Sequence, residues 1–280
     1  MKSVYKIPQK IKCLTDERKR KSIPLFNIVM PVLLFLMLQY ESFHTIFSAP
    51  ESMSKRLKNC LSRKKHTGET EYFYRSVVCM TIGKSPHVIL GQEMLKPRVG
   101  SGKDEGELTG GKRLIEQLKK RHGHFADVIV ADALYLNAPF INTLKENGLE
   151  GCPYKLRVVW YHEQWEENGK ETERFMWLVT TLEAADYRVL WEMMHRRWDI
   201  EENGFHQLKT YYHAKHCYCR DAVETIFNLI IIGFNVRELY LYRRSRNFAG
   251  SGISRKSINR IFCDDLLTEK VKQILCEKGG

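Results

Sequence analysis

The segment Val128-Ile129-Val130-Ala131-Asp132 constrains the fold more than any other stretch of the chain. An unbroken apolar run of this length, ending in a carboxylate, predicts a strand buried on both faces, and such strands belong to sheets covered by helices. The residues that follow, Ala133 to Asn147, read as a helix closed by Gly148. Strand then helix is the grammar of an α/β fold, and in α/β sheets ligands sit at the carboxyl ends of strands. Asp132 therefore stands where chemistry is done. It also stands where a helix N-cap would stand, satisfied by backbone N–H groups alone, and the residues leave both readings open.

The chain can support such a fold. Its 280 residues are 43% hydrophobic, enough for a sizeable core, which excludes disorder, collagen and a mini-protein scaffold. The net charge of +12 is unevenly placed: residues 1–65 hold 14 Lys/Arg against 4 Asp/Glu, and the remainder 31 against 29. A basic appendage of this kind fits nucleic acid, a solvated tail or an anionic membrane surface. The eight cysteines form no C-x-x-C pair, which argues against structural zinc and a disulfide framework and suits a reducing cytosol. Cys217-Tyr218-Cys219 beside His213 and His216 is one cluster lacking a second ligand pair. The apolar run Ile28 to Leu38, even extended to Ile23, falls short of the ~20 residues of a membrane span and contains Pro31, so a buried helix is expected and stable membrane insertion is not.

Along the chain, residues 1–22 read as a basic, aperiodic tail and 23–61 as an N-terminal helical segment. Residues 62–243 form the main body. In it, Glu71 to Met80 and His87 to Leu90 predict a hairpin, 97–111 a glycine-rich surface loop, and Leu114 to Arg121 an amphipathic helix ending near Gly123. A β insertion around 155–181 is marked by two strand-like runs about an Asn168-Gly169 turn. Long helical stretches follow at Ala184 to Lys209 and Arg220 to Arg243, and 244–280 is a basic, weakly periodic C-terminal region.

The densest chemical constellation is His195-Arg196-Arg197-Trp198-Asp199-Ile200-Glu201-Glu202-Asn203-Gly204-Phe205-His206-Gln207-Leu208-Lys209. On a regular helix Arg197 and Glu201 share a face, whereas Lys209 lies about 80° from Glu201 and about 20° from Glu202. A carboxylate flanked by cations fits a metal-and-phosphate site; it also fits a solvated helix with i,i+4 ion pairs. The order R-W-x-I-E, G-F-x-x-L-K and F-N-x-R-E, with T-G-E-T-E-Y-F and V-A-D-A-L-Y-L-N-A-P-F upstream, resembles insertion-sequence transposases of the DDE type, in the IS-four-like group named for its YREK signature. The resemblance covers about residues 24–243.

That resemblance implies a mixed α/β fold with a ribonuclease-H-like catalytic core. In such a core, two Asp and one Glu hold two Mg²⁺ or Mn²⁺ ions, which clamp the oxygens of an in-line phosphoryl displacement. Asp132 matches the second Asp and Glu201 the Glu, as catalytic residues and metal ligands; Arg197 and Lys209 match the signature cations that hold DNA phosphates. The signature Tyr falls at Met194. Glu201 and Lys209 are separated by one residue more than the signature allows, so either Glu202 is the ligand or a one-residue π-bulge near Gly204 restores the phase. The first Asp has no counterpart: between Glu41 and Glu69 the sole carboxylate is Glu51, and the chain reads as internally deleted across the central first strand of the sheet. The implied partners are transposon-end and target DNA and a second copy in a homodimer, in the cytoplasm at the nucleoid. The implied activity is DNA strand cleavage and transfer, degenerate for want of the first Asp, or else DNA binding alone.

Overall fold

The computed structural model describes residues 6–16, 23–37, 61–68, 70–97, 103–149, 156–216, 222–247 and 252–266. In chain order the elements are α1 (Ile7–Lys12), α2 (Leu25–Met37), β1 (Leu61–Lys64), β2 (Thr70–Phe73), β3 (Ser76–Met80), β4 (Ile89–Met94) and α3 (Glu107–His122). A 3₁₀ turn (Ala133–Tyr135) precedes α4 (Ala138–Glu146), β5 (Arg157–Glu167), β6 (Lys170–Thr180) and α5 (Tyr187–Arg196). A π-helix (Ile200–His206) leads into α6 (Gln207–Thr210), and α7 (Val223–Asn247) and α8 (Arg255–Leu266) close the order. The chain divides into two compact units, residues 1–58, 85–88 and 205–280 in the first and 59–84 and 89–204 in the second.

The first unit is helical. Leu33 and Met37 of α2 and Val236, Tyr240 and Leu241 of α7 form its core with Ile258 and Phe262 of α8. Each such side chain, fully buried, contributes roughly 1.5–3 kcal/mol. Residues 1–22 were expected to be a tail without structure, yet they include α1, because Ile11 is apolar enough to enter this core. The basic C-terminal region likewise contains α8, whose Ile258 and Phe262 lie one turn apart and are buried. The Arg237 and Glu238 of F-N-x-R-E are buried within α7. None of the described helices is long and apolar enough to cross a membrane.

The second unit is built on three antiparallel hairpins, β1–β2, β3–β4 and β5–β6. Helix α3 lies on β3–β4, and glycines set how close it comes. A Cβ on Gly110 would stand 2.4 Å from Leu95 Cδ2, one on Gly91 3.0 Å from Leu118 Cδ2, and one on Gly111 2.9 Å from the Tyr135 ring. The glycines at 110 and 111 are thus packing residues within α3, and the expected loop over 97–111 gives way to helix at Glu107. Arg113 pins that start: its Nε donates to Glu93 Oε1 at 2.7 Å and its Nη2 to Glu105 Oε2 at 2.9 Å. The first hairpin expectation also shifts. Strand character breaks at Tyr74-Arg75, so that β2 turns back on β1 and β3 pairs with β4, from Ser76↔Met94 to Met80↔Ile89.

The strand expected at Val128–Ala131 is not formed. Val128 is exposed, while Ile129 packs on the Ile115, Phe140 and Leu149 cluster. A strand buried on both faces needs a neighbour to complete its ladder, and each of the described strands pairs within a hairpin. The fold class is therefore mixed α/β with small sheets, and the described strands do not join into one ribonuclease-H-like sheet. Phe43 to Ala49, Glu51 and the Cys217-Cys219 pair lie outside the described residues.

Candidate functional site

Asp132 ends the irregular Val128–Ala131 segment and caps the 3₁₀ turn behind it. Its Oδ1 accepts from Leu134 N–H at 3.0 Å, and its backbone is extended, as an N-cap requires. Asn137 repeats the device three residues after Leu134, accepting from Phe140 N–H at 3.0 Å to start α4, with Pro139 in the first turn. Of the two readings open for Asp132, the capping one describes its observed contact.

Arg197 and Glu201 follow α5, where the helical path first tightens and then widens. The Ile200 and Glu201 amides bond three residues back, to Arg197 and Trp198, and the path then opens into the π-helix Ile200–His206. The wider turn the long Glu201-to-Lys209 interval calls for is thus present. Gly204 permits it, because a Cβ there would stand 2.9 Å from Met80 Sδ. Arg197 Nη1 donates to Glu201 Oε1 at 3.2 Å, and its guanidinium lies 4.5 Å from the Trp198 ring centroid. Lys209 belongs to the first unit, its ammonium 5.8 Å from the Phe205 ring. The structure therefore joins Arg197 to Glu201.

Two carboxylates unremarked in the sequence hold this region. Asp199 Oδ2 accepts from the Gly83 amide at 2.8 Å, tying the end of β3 to the helical turn that carries Glu201. Glu163 on β5 accepts from Arg174 of β6 (2.8 and 3.1 Å) and from the Trp191 indole of α5 (2.6 Å), and lies 2.9 Å from His195 Nε2. His195 Nδ1 in turn donates to the Trp191 carbonyl at 2.9 Å. Burial pushes the Glu163 carboxyl up, but the bonds from Arg174 and Trp191 and the charge of His195 and Arg174 outweigh it and hold it below its ordinary value. The register carried the signal for the Glu163–Arg174 pair, since counting outward from a two-residue Asn168-Gly169 loop places 163 opposite 174. An open hollow of about 480 Å³ beside them is lined by Arg188, Trp191, Glu192, His195, Arg196 and Asp199, a mixture of both charge signs.

A family model described as the transposase DDE domain matches residues 54–236. The chain belongs to the DDE transposases. No curated protein and no solved structure matches it. Members of this family act on DNA and generally use divalent metal ions, which fixes the question to ask of Asp132 and Glu201. A hard divalent ion takes six or more oxygen ligands and needs several carboxylates to balance its charge. Among the described residues of this transposase, no three or more His, Cys, Asp or Glu side chains come together where they could hold a metal. Asp132 is turned to its own backbone and Glu201 to Arg197. The described residues do not fit a two-metal centre.

Proposed function

We propose that this chain descends from the transposase of a bacterial insertion sequence, in the group marked by the YREK signature, and that it holds DNA without cutting it. The observation that carries this reading is the engagement of Asp132 and Glu201 in local contacts, with no third carboxylate joining either among the described residues. The sequence adds to it, since the interval 42–68 offers Glu51 alone where the family has its first Asp. An internal deletion there accounts for both facts: the first catalytic Asp is lost, and with it the central strand against which Val128–Ala131 would pair. The binding function survives such a loss. Arg197 and Lys209 remain at the positions of the phosphate-holding cations, and the excess basic charge lies in residues 1–65, away from the lost carboxylate.

A strand-cleavage assay tests the proposal, using Mg²⁺ or Mn²⁺ and DNA carrying the sequences that flank the chain's own gene. The chain as it stands, Asp132→Ala and Glu201→Ala are expected to leave that DNA intact alike, while all three retain salt-dependent binding. Nicking by the unaltered chain that both substitutions abolish would overturn the proposal and point to a complete site, with Glu51 the first residue to examine as its third ligand.

A further inference from the structure

The turn that carries Arg197 and Glu201 is fastened on two sides. Asp199 accepts from the Gly83 amide at 2.8 Å and from the Asn203 side-chain amide at 3.4 Å, and Gly204 is buried beside Met80. Within that frame the Arg197 guanidinium lies 4.5 Å from the Trp198 ring centroid and donates one hydrogen bond, from Nη1 to Glu201 Oε1 at 3.2 Å. A guanidinium offers five donors, and its strong pairs with carboxylate are bidentate and shorter. The contact is thus a loose one. Both side chains reach solvent, Arg197 25% and Glu201 44% exposed, so a phosphate can approach the same donors.

The charge around this pair is unfavourable to phosphate. Residues 196–202 hold Arg196 and Arg197 against Asp199, Glu201 and Glu202, and Arg196 faces Glu192 at 3.5 Å. Among the described residues Glu201 makes no ion pair other than the one with Arg197. A divalent ion would offset such a group of carboxylates, but the described residues gather no site for one. The carboxylate of Glu201 is therefore left with a cation that phosphate also needs.

Carboxylate and phosphate present a guanidinium with the same chemistry, oxyanion acceptors for its planar fork of donors. Glu201 stands four residues from Arg197 and is held there by the fastened backbone, whereas a phosphate has to arrive from solution. Resting on the DNA-holding function above, we propose that Glu201 is an internal rival of DNA phosphate for Arg197, a contact that restrains DNA binding below what the chain's cations allow. The restraint is electrostatic and lies near the surface, so salt screens it.

Fluorescence anisotropy of the full chain with duplex DNA carrying the sequences that flank its own gene tests this, in EDTA so that no divalent ion takes part. Circular dichroism shows that each variant is folded. Glu201→Gln keeps the shape of the side chain and removes its charge, and is expected to tighten binding about fivefold at low salt and by less at high salt. Glu116→Gln makes the same change of charge on the exposed side of α3 and should tighten binding by less than about twofold. In an Arg197→Ala chain the gain from Glu201→Gln should also fall below about twofold, because the cation in dispute is gone. Unchanged or weaker binding by Glu201→Gln, an equal gain from Glu116→Gln, or an undiminished gain without Arg197 would each overturn the proposal while DNA binding itself stands. A chain that binds no DNA in any variant would instead overturn the function proposed above, and this inference with it. None of these outcomes bears on whether the chain cleaves DNA.

Discussion

At the scale of single residues, Glu163 holds several elements together. It joins β5, β6 and α5 through one side chain, and a hydrogen bond to a charged group is worth about 1.5–3 kcal/mol. Glu163→Gln keeps the shape and removes the charge, so urea unfolding at pH 7 is expected to show a loss of about 2 kcal/mol. The pH dependence follows from the sign of its shift. A carboxyl held below its ordinary value of 4.5 contributes fully above that pH and loses its contribution as pH falls through the folded-state value. Thermal melts between pH 6 and pH 3 should therefore fall less steeply for Glu163→Gln than for the unaltered chain. Asp132 behaves differently at this scale. Its observed bond is that of an N-cap, so Asp132→Asn is expected to change stability by less than about 0.5 kcal/mol, whereas Asp132→Ala should cost about 1 kcal/mol, both read from denaturant midpoints.

At the scale of elements, helix α3 shows packing overriding propensity. Alanine is a better helix former than glycine by about 1 kcal/mol, yet a methyl group on Gly111 would meet the Tyr135 and Phe140 rings at 2.9 and 3.3 Å. Overpacking costs about 1–3 kcal/mol, so Gly111→Ala should lower the melting temperature despite the gain in propensity. This is also why the start of α3 was not legible in the sequence: two adjacent glycines read as loop until the rings they accommodate are known. The β5–β6 hairpin was legible because its turn is local, with Asn168 and Gly169 both at positive φ, and the count outward from it fixes every cross-strand pair. The π-helix was one of two readings of the residue by which the Glu201-to-Lys209 interval exceeds the signature that the sequence resembles, the other being a regular helix with Glu202 as the ligand. Val128–Ala131 was misread for the opposite reason. A continuous apolar run says that a segment can be buried between neighbours, and nothing within the run says whether those neighbours exist.

At the scale of the whole molecule, the described core is carried by two separate units, and family membership rests on residues drawn from both. The family could be read from motif order and the want of a first Asp from the carboxylates between Glu41 and Glu69, but what Asp132 and Glu201 touch could not, because that depends on which side chains the fold brings together. DNA binding is expected to be strongly salt-dependent: neutralising about six phosphates would cost roughly a thousandfold in affinity between 50 and 200 mM salt. Arg197→Ala and Lys209→Ala should each weaken binding across sequences and reduce the slope of log affinity against log salt by about 1, measured by fluorescence anisotropy. The central claim is that the family's carboxylates no longer form a metal centre, and Mn²⁺ binding followed by electron paramagnetic resonance addresses it without requiring any reaction. The account predicts only weak binding that Asp132→Asn and Glu201→Gln leave unchanged. Tight binding of one or two Mn²⁺ ions, lost in both variants, would contradict it.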